Sequence, residues 1–149
     1  MAEGSNINVE SRIYEKGEID FSQIIKSIKS GSSIDDAGAI LTFTGIVRNS
    51  SHEGKSVESI KIDAYDELAN KSIQKICTEL KEHQGIIDLK IIHLKGEFQL
   101  NEDLVYVVVA SAHREEGFEV LRNAVERYKK EIAVWKKEIF IDGKTEWVH

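Results

Sequence analysis

Nine consecutive residues, Leu104 to Ala112 (L-V-Y-V-V-V-A-S-A), contain no charge, glycine or proline, and they constrain the fold more than any other stretch. A β-branched apolar run of this length predicts a strand covered on both faces. Beyond it, Phe118, Leu121, Val125, Tyr128 and Ile132 recur at helical spacing. The strand therefore ends at His113 and a helix begins near Glu115, with Glu115 and Glu116 in its first turn as the helix dipole favours. Gly117 in that turn is expected to leave backbone uncovered.

The remaining segments arrange themselves around this unit. Residues 1–11 are polar and predict a loose tail. A helix is expected from about Asp20 to Lys29, where Asp20 is a plausible N-cap with Gln23 three residues on. Gly31 to Asp36 reads as a loop. Ala37 to Arg48 reads as a strand interrupted by Gly45, whose missing side chain would let backbone approach a ligand closely. Val57 to Ala64 reads as a second strand, and the polar segment between the two suggests a hairpin with a long tip. A helix follows from about Asp66 to Gln84, then strands at Ile86 to Leu94 and Leu104 to Ala112 around the turn Asn101-Glu102-Asp103. The third long helix reaches about Glu131, Val134 to Ile141 alternates as a strand, and Asp142-Gly143 signals a hairpin leading to Trp147. Helices alternating with antiparallel pairs predict an α+β fold in a single domain spanning 1–149.

Composition excludes several classes. The one cysteine rules out a disulfide framework and a Cys-rich zinc site, and its place in the helical pattern Leu68, Ala69, Ile73, Ile76, Leu80 predicts a buried, inert thiol at Cys77. The five histidines, at 52, 83, 93, 113 and 149, show no metal-ligand spacing, so no metal is expected. Neither nucleotide-binding glycine motif is present. A net charge of −6 without an aromatic-basic pattern argues against nucleic acid. No apolar stretch approaches membrane-spanning length and the N-terminus lacks a basic region with a hydrophobic core, so no membrane association and a cytoplasmic location are expected.

Against that acidic background, cations concentrate between His113 and Lys137. His113 and Arg114 stand where a strand feeds a helix N-terminus, which together with free amides is an anion-binding arrangement. The alternative is that both merely cap the helix or pair locally with Glu115 and Glu116. Arg48, at another strand end, offers a further guanidinium.

Several of these segments together resemble the large, catalytic subunit family of molybdopterin synthase. They are F-T-G-I-V-R-N at Phe43 to Asn49, A-Y at Ala64-Tyr65, I-H-x-x-G at Ile92 to Gly96, S-A-H-R-E-E-G-F at Ser111 to Phe118, Lys129, and W-K-K-E at Trp135 to Glu138 near a terminal W-V. The similarity covers roughly Ile19 to Val148. It implies an α/β-hammerhead type of α+β fold and a sulfurtransferase that converts cyclic pyranopterin monophosphate into molybdopterin by placing two sulfurs as a dithiolene. Each sulfur comes from the C-terminal Gly-Gly thiocarboxylate of a small ubiquitin-like subunit. The implied assembly is a heterotetramer around a central homodimer, and the transfer needs no cofactor.

The resemblance implies Lys129 and Lys136 as catalytic residues, and a substrate site drawn from Ile46, Val47, Arg48, His113, Arg114, Lys129, Lys136, Lys137 and Glu138. A lysine can transfer protons only if its pKa falls toward neutrality, which neighbouring cations and partial desolvation both promote. On a strand, Lys136 and Glu138 share a face while Lys137 points with Trp135, so the two adjacent lysines should differ in role. Two departures stand out: Leu94 where an arginine is expected, with Lys95 a possible substitute, and Ala133-Val134 where a proline is expected. His93 is expected to pack against the sheet edge. A continuous helix puts Arg114 and Lys129 roughly 22 Å apart at about 1.5 Å per residue, which predicts a site shared between two subunits of a symmetric dimer. The alternative function is a non-catalytic anion-binding module that docks a ubiquitin-like sulfur carrier.

Overall fold

The structure is a computed structural model describing residues 8–49, 54 and 56–148. Residues 1–7 of the expected tail, most of the expected hairpin tip, His52 and His149 lie outside them. Strands β1 (Arg12–Glu15), β2 (Ala39–Ile46), β3 (Val57–Ala64), β4 (Ile86–Gln99), β5 (Asp103–Ser111), β6 (Val134–Phe140) and β7 (Thr145–Val148) alternate with helices α1 (Phe21–Lys29), α2 (Asp66–Lys81) and α3 (Arg114–Glu131). The sheet order is β2-β5-β4-β3-β6-β7, with β1 attached to β4. The β1–β4 pair is parallel and the others are antiparallel, an α+β arrangement.

The uninterrupted apolar run became β5, flanked by β2 and β4, with Val107 to Ala110 fully buried. Burial on both faces follows from α3 packing on one side and α1 on the other. The α1 N-terminus carries the expected capping box: the Asp20 carboxylate accepts from Gln23 N at 2.9 Å and Gln23 Oε1 accepts from Asp20 N at 2.9 Å.

Three expectations are corrected here. The stretch read as a loose tail is tied down from residue 9. Val9 is buried and donates to Ser27 Oγ at 2.8 Å, Ser11 Oγ accepts from Ile91 N at 3.1 Å, and β1 follows at once. A four-residue strand is too short to show a period, and its outer edge is satisfied by side chains of α2: Ile13 N donates to Asn70 Oδ1 at 2.8 Å and Gln74 Nε2 donates to Ser11 O at 2.6 Å. Second, β2 and β3 do not form a hairpin. β2 pairs with β5, while β3 pairs with β4 and β6. Covering the apolar flank of β5 outweighed adjacency in sequence.

Third, the buried line of α3 is Gly117, Val120, Ala124 and Tyr128, and Phe118 is 61% exposed. Gly117 is a packing residue and does not leave backbone uncovered. A Cβ there would lie 2.5 Å from Ser111 Oγ and collide with Leu41 Cδ1. Of the stripe read from large side chains, Tyr128 and Ile132 are buried and Leu121 and Val125 pack against the core, but Phe118 points out because Gly117 takes the inward position. Cys77 is buried and free, and burial pushes its thiol pKa up. Among the described residues, no helix is long and apolar enough to cross a membrane.

Candidate functional site

Two elements deliver the lysines. Helix α3 ends at Glu131, Ile132 turns extended, and only Ile132 and Ala133 precede β6. Tyr65 N donates to Ala133 O at 3.2 Å, pinning that link to the start of α2. The short connection folds β6 back so that Lys136 lies near Lys129 on the last turn of α3. Arg48, just past the end of β2, joins them. Burial depresses the Lys136 pKa, the positive charges of Lys129 and Arg48 push it down further, and Glu138 opposes them. Lys129 and Arg48 are themselves exposed. These three cations, drawn from α3, β6 and the end of β2, are the part of the expected site that one protomer assembles.

Lys137 is separate. Its ammonium lies 5.5 Å from the centroid of the Trp147 ring, opposite it in the β6–β7 register. On the other edge of the sheet face, Trp135 meets Tyr65 edge-on at 5.8 Å. Ile46 is 50% exposed, whereas Val47 is buried and its backbone is engaged, N donating to Glu102 O at 3.0 Å and O accepting from Asn101 N at 2.8 Å.

His113 and Arg114 sit at the opposite end of α3. His113 is the N-cap in extended conformation and its side chain is 78% exposed, with Nδ1 3.7 Å from Glu116 Oε2. Its carbonyl accepts from Ser111 Oγ at 2.7 Å, which fixes the strand-to-helix corner. Arg114 is exposed and forms no ion pair among the described residues. Helix α3 is continuous over its 18 residues, so Arg114 and Lys129 are held roughly 22 Å apart at about 1.5 Å per residue.

Two features beneath the lysines were not legible beforehand. His93 is not at a sheet edge: it lies within β4, pairs with Val105 and Ile13 on either side, and is buried. Its Nδ1 lies 3.0 Å from Leu94 O, so that nitrogen carries the proton. Burial, together with the Lys136 charge, pushes its pKa down to about 4, so it is neutral near pH 7. Tyr128 stands edge-on to His93 at 5.9 Å, and its hydroxyl reaches Gly45. The only hint was a histidine set among Ile91, Ile92 and Leu94. Gly45 is also reassigned: a Cβ there would lie 2.7 Å from Val105 Cγ1 and 3.8 Å from the Tyr128 hydroxyl, so its bareness admits the protein's own core rather than a ligand.

The Leu94 departure from the expected motif adds no anion contact, and Lys95 does not replace one. Leu94 is buried opposite Tyr14 of β1, and Lys95 is committed to Asp66 at 2.7 Å and Glu15 at 3.8 Å. A groove between β1 and α2, lined by Glu10, Arg12, Glu67, Asn70, Lys71 and Gln74, contains none of the candidate residues.

Comparison with known proteins points in one direction. The sequence model of the MoaE protein family matches residues 14–131. The chain is 38% identical over 112 residues to the molybdopterin synthase catalytic subunit of Thermoplasma volcanium, covering 75% of this chain and 81% of that one. Its structure resembles molybdopterin synthase from Staphylococcus aureus with a TM-score of 0.80 and 28% identity, covering 93% and 96% of the two chains. It also shares its fold, at a TM-score of 0.73 and 22% identity over 92% and 88% of the two chains, with a chain from the complex of subunits 1 and 2 of the molybdopterin-converting factor of Helicobacter pylori.

Proposed function

This chain belongs to the MoaE family of molybdopterin synthase catalytic subunits, and on that premise we propose that it transfers two sulfurs to cyclic pyranopterin monophosphate, forming the molybdopterin dithiolene. The sulfur donor is a small ubiquitin-like subunit ending in a Gly-Gly thiocarboxylate. A two-subunit complex described for the Helicobacter relative is consistent with such a partner. Cys77 is buried with its thiol pKa raised, so it is a poor relay and the sulfur must arrive from outside.

The observation that carries this reading is Lys136, a half-buried lysine whose pKa is lowered by desolvation and by Lys129 and Arg48. Attack of the thiocarboxylate on the pterin side chain, opening of the cyclic phosphate and hydrolysis of the resulting thioester all move protons. A lysine shifted toward neutrality can both accept and return them. Lys129 and Arg48 then serve the phosphate as fixed positive charges. Ile46 offers apolar surface beside Arg48, and Glu138 restrains how far the Lys136 pKa falls.

His113 and Arg114 complete the site from a second copy of the chain, since roughly 22 Å of continuous helix at about 1.5 Å per residue exceeds the reach of any side chain. The functional assembly is thus a central homodimer with a small subunit at each end. Incubating the protein with cyclic pyranopterin monophosphate and thiocarboxylated small subunit should yield dithiolene product. Binding of both without turnover would make the chain a docking module instead.

A further inference from the structure

The hairpin of β4 and β5 parts before it turns. Its last rung joins His93 to Val105; beyond that, residues 96–99 of β4 pair with β3, and Asp103 of β5 pairs with Ile46 of β2. The turn from Gln99 to Glu102, with Asn101 in the left-handed region at φ 72°, therefore stands between two diverging strands. It nevertheless carries the end of β2: Asn101 N donates to Val47 O at 2.8 Å and Glu102 O accepts from Val47 N at 3.0 Å. Arg48 follows at once, and on its other side Asn49 O accepts from Val57 N at 2.9 Å. Arg48 is thus bracketed by two fixed neighbours, and this turn fixes one of them.

Besides its backbone bond from Glu102 N to Gln99 O at 3.2 Å, the turn is closed by the side chains of Glu102 and Lys16. Glu102 Oε1 accepts from Gln99 N at 2.7 Å and from Lys16 Nζ at 2.8 Å. The same ammonium donates to Glu97 O at 2.9 Å, so Lys16 ties the β4 side of the parted hairpin to the β5 side. Lys16 reaches this place because its own N–H extends the β1–β4 pairing, donating to Lys95 O at 2.9 Å, and because Gly96 is bare there. A Cβ on Gly96 would lie 3.3 Å from Lys16 Cβ, and its φ of 133° disfavours any side chain. The Gln99 amide and the Lys16 ammonium hold the Glu102 pKa below its ordinary value. With side chains 40% and 39% exposed, the ion pair adds little to global stability. Its effect is local geometry.

We propose that Glu102, held by Lys16, is a positioning residue for the reaction: it sets the turn that fixes Val47, and through Val47 the direction in which Arg48 meets the substrate phosphate. This rests on the phosphate-binding reading of Arg48 above and adds two residues that act through it without touching substrate. A guanidinium already aimed loses less freedom on binding an oxyanion than one on a loose strand end.

The test measures KM and kcat for cyclic pyranopterin monophosphate with the small subunit saturating, alongside amide hydrogen exchange. The proteins are wild type, Glu102→Ala, Lys16→Met, Lys16→Arg, Arg48→Ala and the Glu102→Ala/Arg48→Ala double variant. Glu102→Ala and Lys16→Met should each raise KM roughly 3- to 10-fold with kcat little changed, and the Val47 and Asn101 amides should exchange faster in both. Lys16→Arg should keep KM near wild type. With Arg48 already replaced, Glu102→Ala should raise KM no further, an outcome that a merely structural role does not produce. Slow exchange in Val107 to Ala110 reports that each variant is folded, and should Glu102→Ala not fold, Lys16→Met carries the test. Wild-type exchange at Val47 and Asn101 in the variants, or a full additional KM effect in the double variant, overturns the proposal. Arg48→Ala with a wild-type KM would overturn the phosphate reading itself, a failure distinct from that of the turn, which the exchange result decides.

Discussion

Lys136 lies close enough to Lys129 for the charge of the one to hold down the pKa of the other, although the two belong to different elements. The pairing exists because α3 and β6 are joined by two residues, and it gives the lysines unequal surroundings. Lys136 is half-buried and shifted, and Lys129 is exposed and supplies the field.

Replacing Lys136 separates stability from activity. Its folded pKa lies below the unfolded value of 10.5, so between those two values the unfolded chain binds the extra proton and stability rises with pH. At pH 7 the buried ammonium is therefore a cost. Lys136→Met should raise Tm at pH 7, an advantage that shrinks toward pH 10, while lowering product formation by about 10²-fold or more. A variant less stable than wild type at pH 7 would contradict the burial argument.

Lys129→Ala should also abolish or nearly abolish turnover while leaving the urea midpoint close to wild type, since its side chain is exposed and adds little to the core. It should also move the Lys136 pKa upward, visible as a shift of the basic limb of the pH–rate profile of the residual activity. Wild-type rate in this variant would remove Lys129 from the mechanism.

His93 makes an acid-stability prediction. Its folded pKa of about 4 lies below the unfolded 6.5, so the stability linked to its neutral form is intact above pH 6.5 and is lost as pH falls toward 4. The loss amounts to about 3 kcal/mol once both values are passed, at 1.36 kcal/mol per pKa unit. Urea unfolding of wild type and His93→Gln at pH 7.5 and 4.5 should show a smaller acid loss in the variant. Equal losses would show that His93 is not the group responsible.

These residues also mark what could be read in advance. The β5 run and the capping box at Asp20 and Gln23 were legible because each is a local pattern with one physical solution. The separation of Lys129 from Arg114 along α3 followed from helix rise alone. The β2–β3 hairpin failed because strand partners are chosen by shared burial over long separations, and four-residue β1 has no period to detect. Phe118 was misread for a related reason: Gly117 occupies the inward position, and closeness of packing at a glycine is invisible in sequence. His93 beneath Lys136 depends on β4, β3 and β6 lying side by side, which no spacing announces.

Gly117→Ala tests that inward packing. The added methyl meets Leu41 Cδ1 and Ser111 Oγ at the corner that positions His113, and overpacking of this kind costs about 1–3 kcal/mol. Urea unfolding should show that loss, where an open helical position would gain slightly from alanine.

The shared site is the central claim, and subunit mixing tests it most directly. Arg114→Ala and Lys129→Ala proteins, each inactive alone, should regain product formation when exchanged in equal amounts, because each mixed dimer carries one site free of both substitutions. With random exchange the recovered rate approaches about a quarter of wild type. Verified exchange with no recovered activity would contradict the account, placing both groups in one subunit or removing one of them from the reaction.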